Sequence, residues 1–215
     1  MSGGKTFYLE NLGCAKNQVD GEAMVSRLLE LGWREEPDPA EASCIIVNTC
    51  GFIEPAKKES IDTVIGFRGL YPDKRIILAG CLAERYGKEL FASLPEADGV
   101  FGNRDLSRVG EVMDAAPDGR LVVLPAEYGA QPVRRRTFSP PGSVYIKAAE
   151  GCDNRCSFCA IPLIRGGVRS REVDEIVREI ESFLEKGVVE FNLVAQDMGA
   201  YGKDLPRSEG RAGLA

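Results

Sequence analysis

Apolar residues recur along this chain in two alternating rhythms. Short runs, β-branched or apolar for the most part, occupy Thr6–Leu9, Cys44–Val47, Arg75–Leu78, Val100–Phe101 and Leu121–Leu124. Between them, apolar residues return every three or four positions. Met24, Leu28 and Leu31 share one face of a helix expected over about Gln18–Leu31, with Gly32 as its stop. Pro55 stands where a first helical turn begins, and Ile61, Val64 and Ile65 continue at helical spacing. A further helical stretch runs through Leu94, and Leu106, Val109 and Met113 mark a last one. Short apolar strands separated by amphipathic helices predict a parallel sheet covered on both faces.

The rhythm restarts at Val144–Ala148, which reads as a strand leading into a cysteine-bearing loop. Glu172–Lys186 is the clearest helix: Val173, Ile176, Val177, Ile180, Phe183 and Leu184 form one stripe, and Gly187 ends it. Phe191–Val194 is the next strand, and Gln196–Lys203 a polar loop. This β-loop-α-β order opens a (β/α) barrel. Two strands and one helix do not close one, so a truncated barrel is expected. Pro125, Pro132, Pro140 and Pro141, together with Arg134–Arg136, punctuate the stretch between the two patterns. The expected class is therefore α/β: a parallel-sheet α/β domain over 1–124, a linker over 125–143, and the first part of a barrel over 144–215.

The composition is that of a globular chain: 215 residues, 44% hydrophobic and 28% charged. The net charge of −6 does not favour phosphate backbones. The acid excess lies in the first 133 residues, whereas 134–171 carries eight Arg and Lys against only Glu150 and Asp153. Histidine is absent, which removes Ser-His-Asp triads, HExxH zinc sites and Cys₂His₂ fingers. The opening MSGGKTFYLE has no apolar signal region, and no apolar run approaches the ~20 residues of a membrane span. A cytoplasmic chain with no membrane association is expected. In that compartment the seven cysteines read as metal ligands or redox groups before they read as disulfides.

Cys152, Cys156 and Cys159 form C-x3-C-x2-C directly after a predicted strand. Structural zinc wants four protein ligands, and neither a fourth local cysteine nor a histidine is at hand. Three thiolates suit a [4Fe–4S] cluster with one iron left open, although ferredoxin-type clusters use four cysteines. Cys14, Cys50 and Cys81 are dozens of residues apart, yet each lies just beyond the C-terminal end of a predicted strand. In a parallel sheet those ends share one edge, where ligands bind. They are either a second cluster site or small buried apolar residues. Cys44 starts a strand instead of ending one and is expected to be a core thiol.

The loop Cys152-Asp-Asn-Arg-Cys156-Ser-Phe-Cys159 resembles that of radical S-adenosylmethionine enzymes. The stretches Leu12–Asp20, Val47–Asp62 and Ile77–Leu82 look like the N-terminal domain of methylthiotransferases, and Glu150–Gly166 looks like the branch that modifies a ribosomal protein. Gly142-Ser143 and Met198-Gly199 depart from the usual residues of that family without touching the six cysteines. The resemblance implies two [4Fe–4S] clusters and S-adenosyl-L-methionine as cofactors, with iron the only metal. The cluster on Cys152, Cys156 and Cys159 would cleave S-adenosylmethionine. The auxiliary cluster on Cys14, Cys50 and Cys81 would hold the sulfur to be transferred. The implied target is the β-carbon of an aspartate in small-subunit ribosomal protein number twelve, and the implied electron donor a flavodoxin or ferredoxin. The alternatives are the same chemistry on a tRNA adenosine, or an inactive cluster-binding fragment. No catalytic residue beyond the clusters is expected. Gln196 and Asp197, at the end of the second barrel strand, are expected to bind S-adenosylmethionine. Arg165, Arg169 and Arg171 are candidates to neutralise the anionic cluster, and Arg134–Arg136 read as a solvated linker.

Overall fold

The computed structural model describes residues 4–115, 119–129 and 131–206. The chain divides into two compact units, Met1–Arg136 and Thr137–Ala215. The first contains β1 (Thr6–Asn11), α1 (Ala15–Glu30), β2 (Arg34–Glu35), β3 (Cys44–Thr49), α2 (Glu54–Leu70), β4 (Arg75–Gly80), α3 (Cys81–Ser93), β5 (Gly99–Phe101), α4 (Val109–Met113) and β6 (Leu121–Val123). All strands are parallel, in the order β2-β1-β3-β4-β5-β6. The central strands β3 and β4 are buried along nearly their whole length, as continuous apolar runs must be when helices cover both faces. Ile45, Val47, Ile76, Leu78 and Val100 pack with Val64 of α2 and Ala83 of α3 on one side of the sheet. The strand order reverses between β1 and β3, which creates a switch point at the C-terminal edge.

Two features of this unit have no counterpart in the apolar pattern. β2 is only two residues long, Arg34 and Glu35, and both are polar. The tri-arginine run is the second. Arg134 is buried against α1, where its guanidinium pairs with the equally buried Glu22, and Arg135 and Arg136 pair with Glu30 and Glu35. A solvated run is therefore wrong for Arg134. Charge counted along a sequence does not reveal that an opposite charge waits at a sheltered position on a helix.

The second unit contains β7 (Ser143–Lys147), β8 (Ala149–Glu150), α5 (Ile161–Arg165), β9 (Arg169–Ser170), α6 (Val173–Leu184) and β10 (Glu190–Val194). β7 and β10 pair in parallel, with α6 as the crossover between them. Val144, Ile146 and Ala148 pack with Ile176 and Phe183 of α6 and with Val188. The expected strand Val144–Ala148 is seen as β7, which ends one residue earlier at Lys147, and the next residues Ala149–Glu150 pair antiparallel with β9. Among the described residues, no helix is long and apolar enough to cross a membrane.

Candidate metal centres

In the first unit, Cys14 is the residue on which α1 begins, Cys50 directly follows β3, and Cys81 opens α3 immediately after β4. β1, β3 and β4 are neighbours in one parallel sheet, so the topology brings all three cysteines to its C-terminal edge, two of them astride the switch point. Two glycines let the loops meet there. A Cβ on Gly13 would stand 2.9 Å from Cys50 Cβ, at a φ of +91° that side chains rarely adopt. A Cβ on Gly51 would stand 2.8 Å from the Cys81 carbonyl oxygen and from Leu82 Cα.

An amide network ties the same edge together. Asn17 Nδ2 donates to the carbonyl oxygens of Leu12 (2.7 Å), Asn48 (3.2 Å) and Thr49 (3.3 Å). Asn48 Nδ2 donates to Asn11 Oδ1 and to the Asn17 carbonyl, both at 2.7 Å. Cys81 Sγ lies 3.6 Å from Asn17 Oδ1 and accepts from Asn103 Nδ2 at 3.4 Å. The Cys50 amide donates to Ser60 Oγ at 3.1 Å. Cys14 is exposed, Cys50 half-buried and Cys81 buried. Cys44 lies at the opposite end of β3, fully enclosed, with its Sγ 3.8 Å from Met113 Sδ. Burial pushes its thiol up to about 12, with Arg75 opposing the shift. It is a core thiol, as expected.

In the second unit, Cys152, Cys156 and Cys159 occupy the loop between β8 and α5. The Cys152 amide donates to the Gly166 carbonyl at 3.0 Å, and the Cys159 amide closes a turn onto the Cys156 carbonyl at 3.1 Å. Asp153 Oδ1 accepts from the Val168 amide, and Asn154 Nδ2 donates to Asp197 Oδ2 at 2.9 Å. Asp197 Oδ1 also caps the short turn Met198–Ala200 through the Gly199 amide at 3.0 Å. The end of β10 is thereby fastened to the cysteine loop. Gln196 Oε1 is buried and has no donor among the described residues.

Beneath the loop, Glu150 lies between Lys147 Nζ at 2.5 Å and Arg165 at 3.0 Å. Arg171 pairs with Glu179 at 2.5 Å and donates to the Lys147 carbonyl, and Arg169 donates to the carbonyls of Gly167 and Arg165. These three arginines brace the scaffold of the loop. The N–H groups that these contacts use are directed at neighbouring carboxylates and carbonyls.

The thiols share an edge and a loop without forming a ligating set. Among the described residues, no group of three or more His, Cys, Asp or Glu is gathered tightly enough to hold a metal ion. Cys81 Sγ lies between two amides. The donor chemistry nevertheless suits one group. Two sets of three cysteines, with no histidine in the chain, fall one ligand short of structural zinc and match a [4Fe–4S] cluster with an open iron.

Comparison with known proteins agrees with both halves of this geometry. Residues 6–102 match the uncharacterized protein family UPF0004, and residues 146–207 match the radical SAM superfamily. The chain joins a UPF0004 domain to a radical SAM domain. The UPF0004 domain holds Cys14, Cys50 and Cys81, and the radical SAM domain holds Cys152, Cys156 and Cys159. The chain is 47% identical over 203 residues to the ribosomal protein uS12 methylthiotransferase RimO of Treponema denticola, covering 89% of this chain and 44% of that protein. The RimO of Sorangium cellulosum is 45% identical over 217 residues, covering 99% of this chain and 44% of its own length. The chain thus spans less than half the length of the curated relatives it matches, and is RimO-like in its N-terminal part. Among solved structures, a radical S-adenosylmethionine methyltransferase, TsrM from Kitasatospora setae, superposes with a TM-score of 0.50 at 15% identity, covering 91% of this chain and 48% of that one. That likeness supports the fold.

Asn17, Asn48, Asn103 and the pairing of Arg165 and Lys147 with Glu150 are absent from the roles read in the sequence. Asn17 and Asn48 lie within the stretches quoted for the resemblance, but their joint role shows only when β1, β3 and β4 are side by side.

Proposed function

We propose that this chain is the cluster-binding part of a methylthiotransferase that attaches a methylthio group to the β-carbon of an aspartate in ribosomal protein uS12. The observation that carries the proposal is the pair of cysteine triplets, each in its own unit, one at the C-terminal edge of a parallel sheet and the other in the single loop between β8 and α5. Similarity to RimO over nearly the whole chain supports the reaction and the target. When bound, a [4Fe–4S] cluster on Cys152, Cys156 and Cys159 supplies reductive cleavage of S-adenosylmethionine, and one on Cys14, Cys50 and Cys81 supplies the sulfur to be transferred.

The chain's own residues bind and orient. Cys152, Cys156 and Cys159 offer three thiolates from one short loop, braced by the Gly166 carbonyl and by Asp197. Gln196 offers the buried Oε1 as acceptor for the amino group of S-adenosylmethionine, an N–H donor that would satisfy it. Asp197 already accepts from Asn154 and Gly199, and a carboxylate retains lone pairs for a ribose hydroxyl. The acid excess before residue 134 complements a basic ribosomal protein. Such a target places the reaction in the cytoplasm, with a flavodoxin or ferredoxin as electron donor.

Anaerobic reconstitution of the 215-residue chain tests this reading. It is expected to load about eight irons with matching sulfide, about four per cluster, and Cys156→Ala is expected to load about four. In a version extended to the full length of the relatives, reductive cleavage of S-adenosylmethionine is expected to persist in Cys50→Ala and to vanish in Cys159→Ala. In that version, mass spectrometry of uS12 is expected to show a methylthio adduct on aspartate that Cys50→Ala does not form, whereas the 215-residue chain is expected to turn over poorly or not at all. A content of one zinc and no sulfide would refute the reading.

A further inference from the structure

Cys81 is the most enclosed of the six proposed ligands, 7% exposed, and its sulfur has two amide neighbours, of which Asn17 is oriented by partners other than the sulfur. Asn17 is 1% exposed and directs Nδ2 at three backbone carbonyls, those of Leu12, Asn48 and Thr49. Turning its amide over would set an oxygen against three oxygens, so Oδ1 is the end that faces Cys81 Sγ. Those carbonyls belong to the segments that carry Cys14 and Cys50. One side chain thus spans the strand ends of β1, β3 and β4.

Asn103 comes from the next strand along, two residues beyond β5 at the same edge. Its backbone amide donates to Glu84 Oε2 at 3.1 Å, which anchors the residue to α3. Its Nδ2 donates to Cys81 Sγ at 3.4 Å, a normal length for a sulfur acceptor. The sulfur therefore meets the positive end of one amide and the negative end of another.

We infer that Asn17 and Asn103 are positioning residues for the auxiliary cluster: Asn17 holds the Cys14- and Cys50-bearing segments in register beside Cys81, and Asn103 sets the reduction potential through its hydrogen bond to Cys81 Sγ. The inference rests on the reading of Cys14, Cys50 and Cys81 as cluster ligands. Hydrogen bonds to ligand sulfurs are one of the protein's levers on cluster potential. A donor stabilises the extra negative charge of the reduced form, so removing it lowers the potential. Asn17 acts on occupancy, because a cluster needs three ligands within reach at once, and its three hydrogen bonds add to the Leu12–Asn48 backbone bond in fixing the two loops that carry Cys14 and Cys50.

The test uses the 215-residue chain with Cys152, Cys156 and Cys159 replaced by Ala, so that only the first unit's set remains. After anaerobic reconstitution, the measurements are iron and sulfide content, the electron paramagnetic resonance spectrum of the dithionite-reduced state, and a potentiometric titration. Adding Asn103→Ala is expected to leave about four irons. The same change is expected to favour the oxidised form about tenfold at a given potential, which is about 59 mV for one electron. Asn17→Ala is expected to cut iron occupancy several-fold, with circular dichroism showing the sheet intact. Asn17→Asp, which keeps the size and loses the donors, is expected to do the same. If the parent loads no cluster, the ligand reading fails and this inference with it. If the parent loads about four irons and Asn103→Ala titrates at the parent's potential, the inference alone fails. Should both Asn17 variants unfold, the Asn103→Ala titration still decides.

Discussion

At the scale of single residues, the seven cysteines divide by which end of a strand they occupy. Cys14, Cys50 and Cys81 stand at C-terminal ends, among loops, amides and partial solvent, whereas Cys44 stands at the start of β3 inside the sheet. Burial opposes the Cys44 thiolate strongly enough to push its thiol up to about 12 from an ordinary 9.0. The folded state keeps a proton there that the unfolded chain gives up. Its contribution to stability is therefore intact below about pH 9 and is lost as pH rises toward 12. Urea unfolding of the parent and of Cys44→Ala at rising pH is expected to show the parent losing more stability over that window. Equal losses would mean that Cys44 is open to solvent. The distinction between Cys44 and its neighbours was legible in the sequence, because strand polarity is written in the order of apolar run and loop. The partners of Cys81 were not, since Asn17 and Asn103 are 64 and 22 positions away from it.

At the scale of elements, legibility follows apolar content. α6 forms where the stripe predicts it and buries Ile176 and Phe183, while Val173, Val177 and Leu184 of the same stripe are exposed. β2, β8 and β9 are two residues each and gain their pairing from neighbours already in place. The attachment of Arg134–Arg136 to α1 and β2 is of the same kind, formed by charges instead of apolar area. Truncating one partner of a buried ion pair leaves a charge with no counter-charge, at a cost of about 3–5 kcal/mol. Arg134→Met is expected to destabilise the first unit by that order, read as a lower urea midpoint at constant slope. Glu22→Gln combined with it is expected to recover much of the loss, because the stranded carboxylate is gone. A midpoint unchanged in Arg134→Met would show that the pair contributes nothing.

At the scale of the whole chain, the division falls between Arg136 and Thr137, inside the stretch that the sequence marks as a linker. Between residues 131 and 143, trypsin is expected to cut first after Arg135 or Arg136, whose side chains are 67% and 53% exposed, and not after Arg134, at 2%. Mass spectrometry of the early fragments checks this, and a first fragment ending at Arg134 would contradict its burial. The sequence by itself determined the order and kind of the main elements, the parallel pairing of the first unit's sheet and of β7 with β10, and the six cysteines beyond strand ends. These follow from the period of apolar burial and from chain polarity, which are local properties. Only the tertiary structure decided the strand order 2-1-3-4-5-6, the close approach at Gly13 and Gly51, the amide bracket on Cys81 and the burial of Arg134. Each of these depends on which groups distant in sequence are brought within a few ångströms. That is settled by packing and by the matching of donors, acceptors and charges, neither of which has a period along the chain.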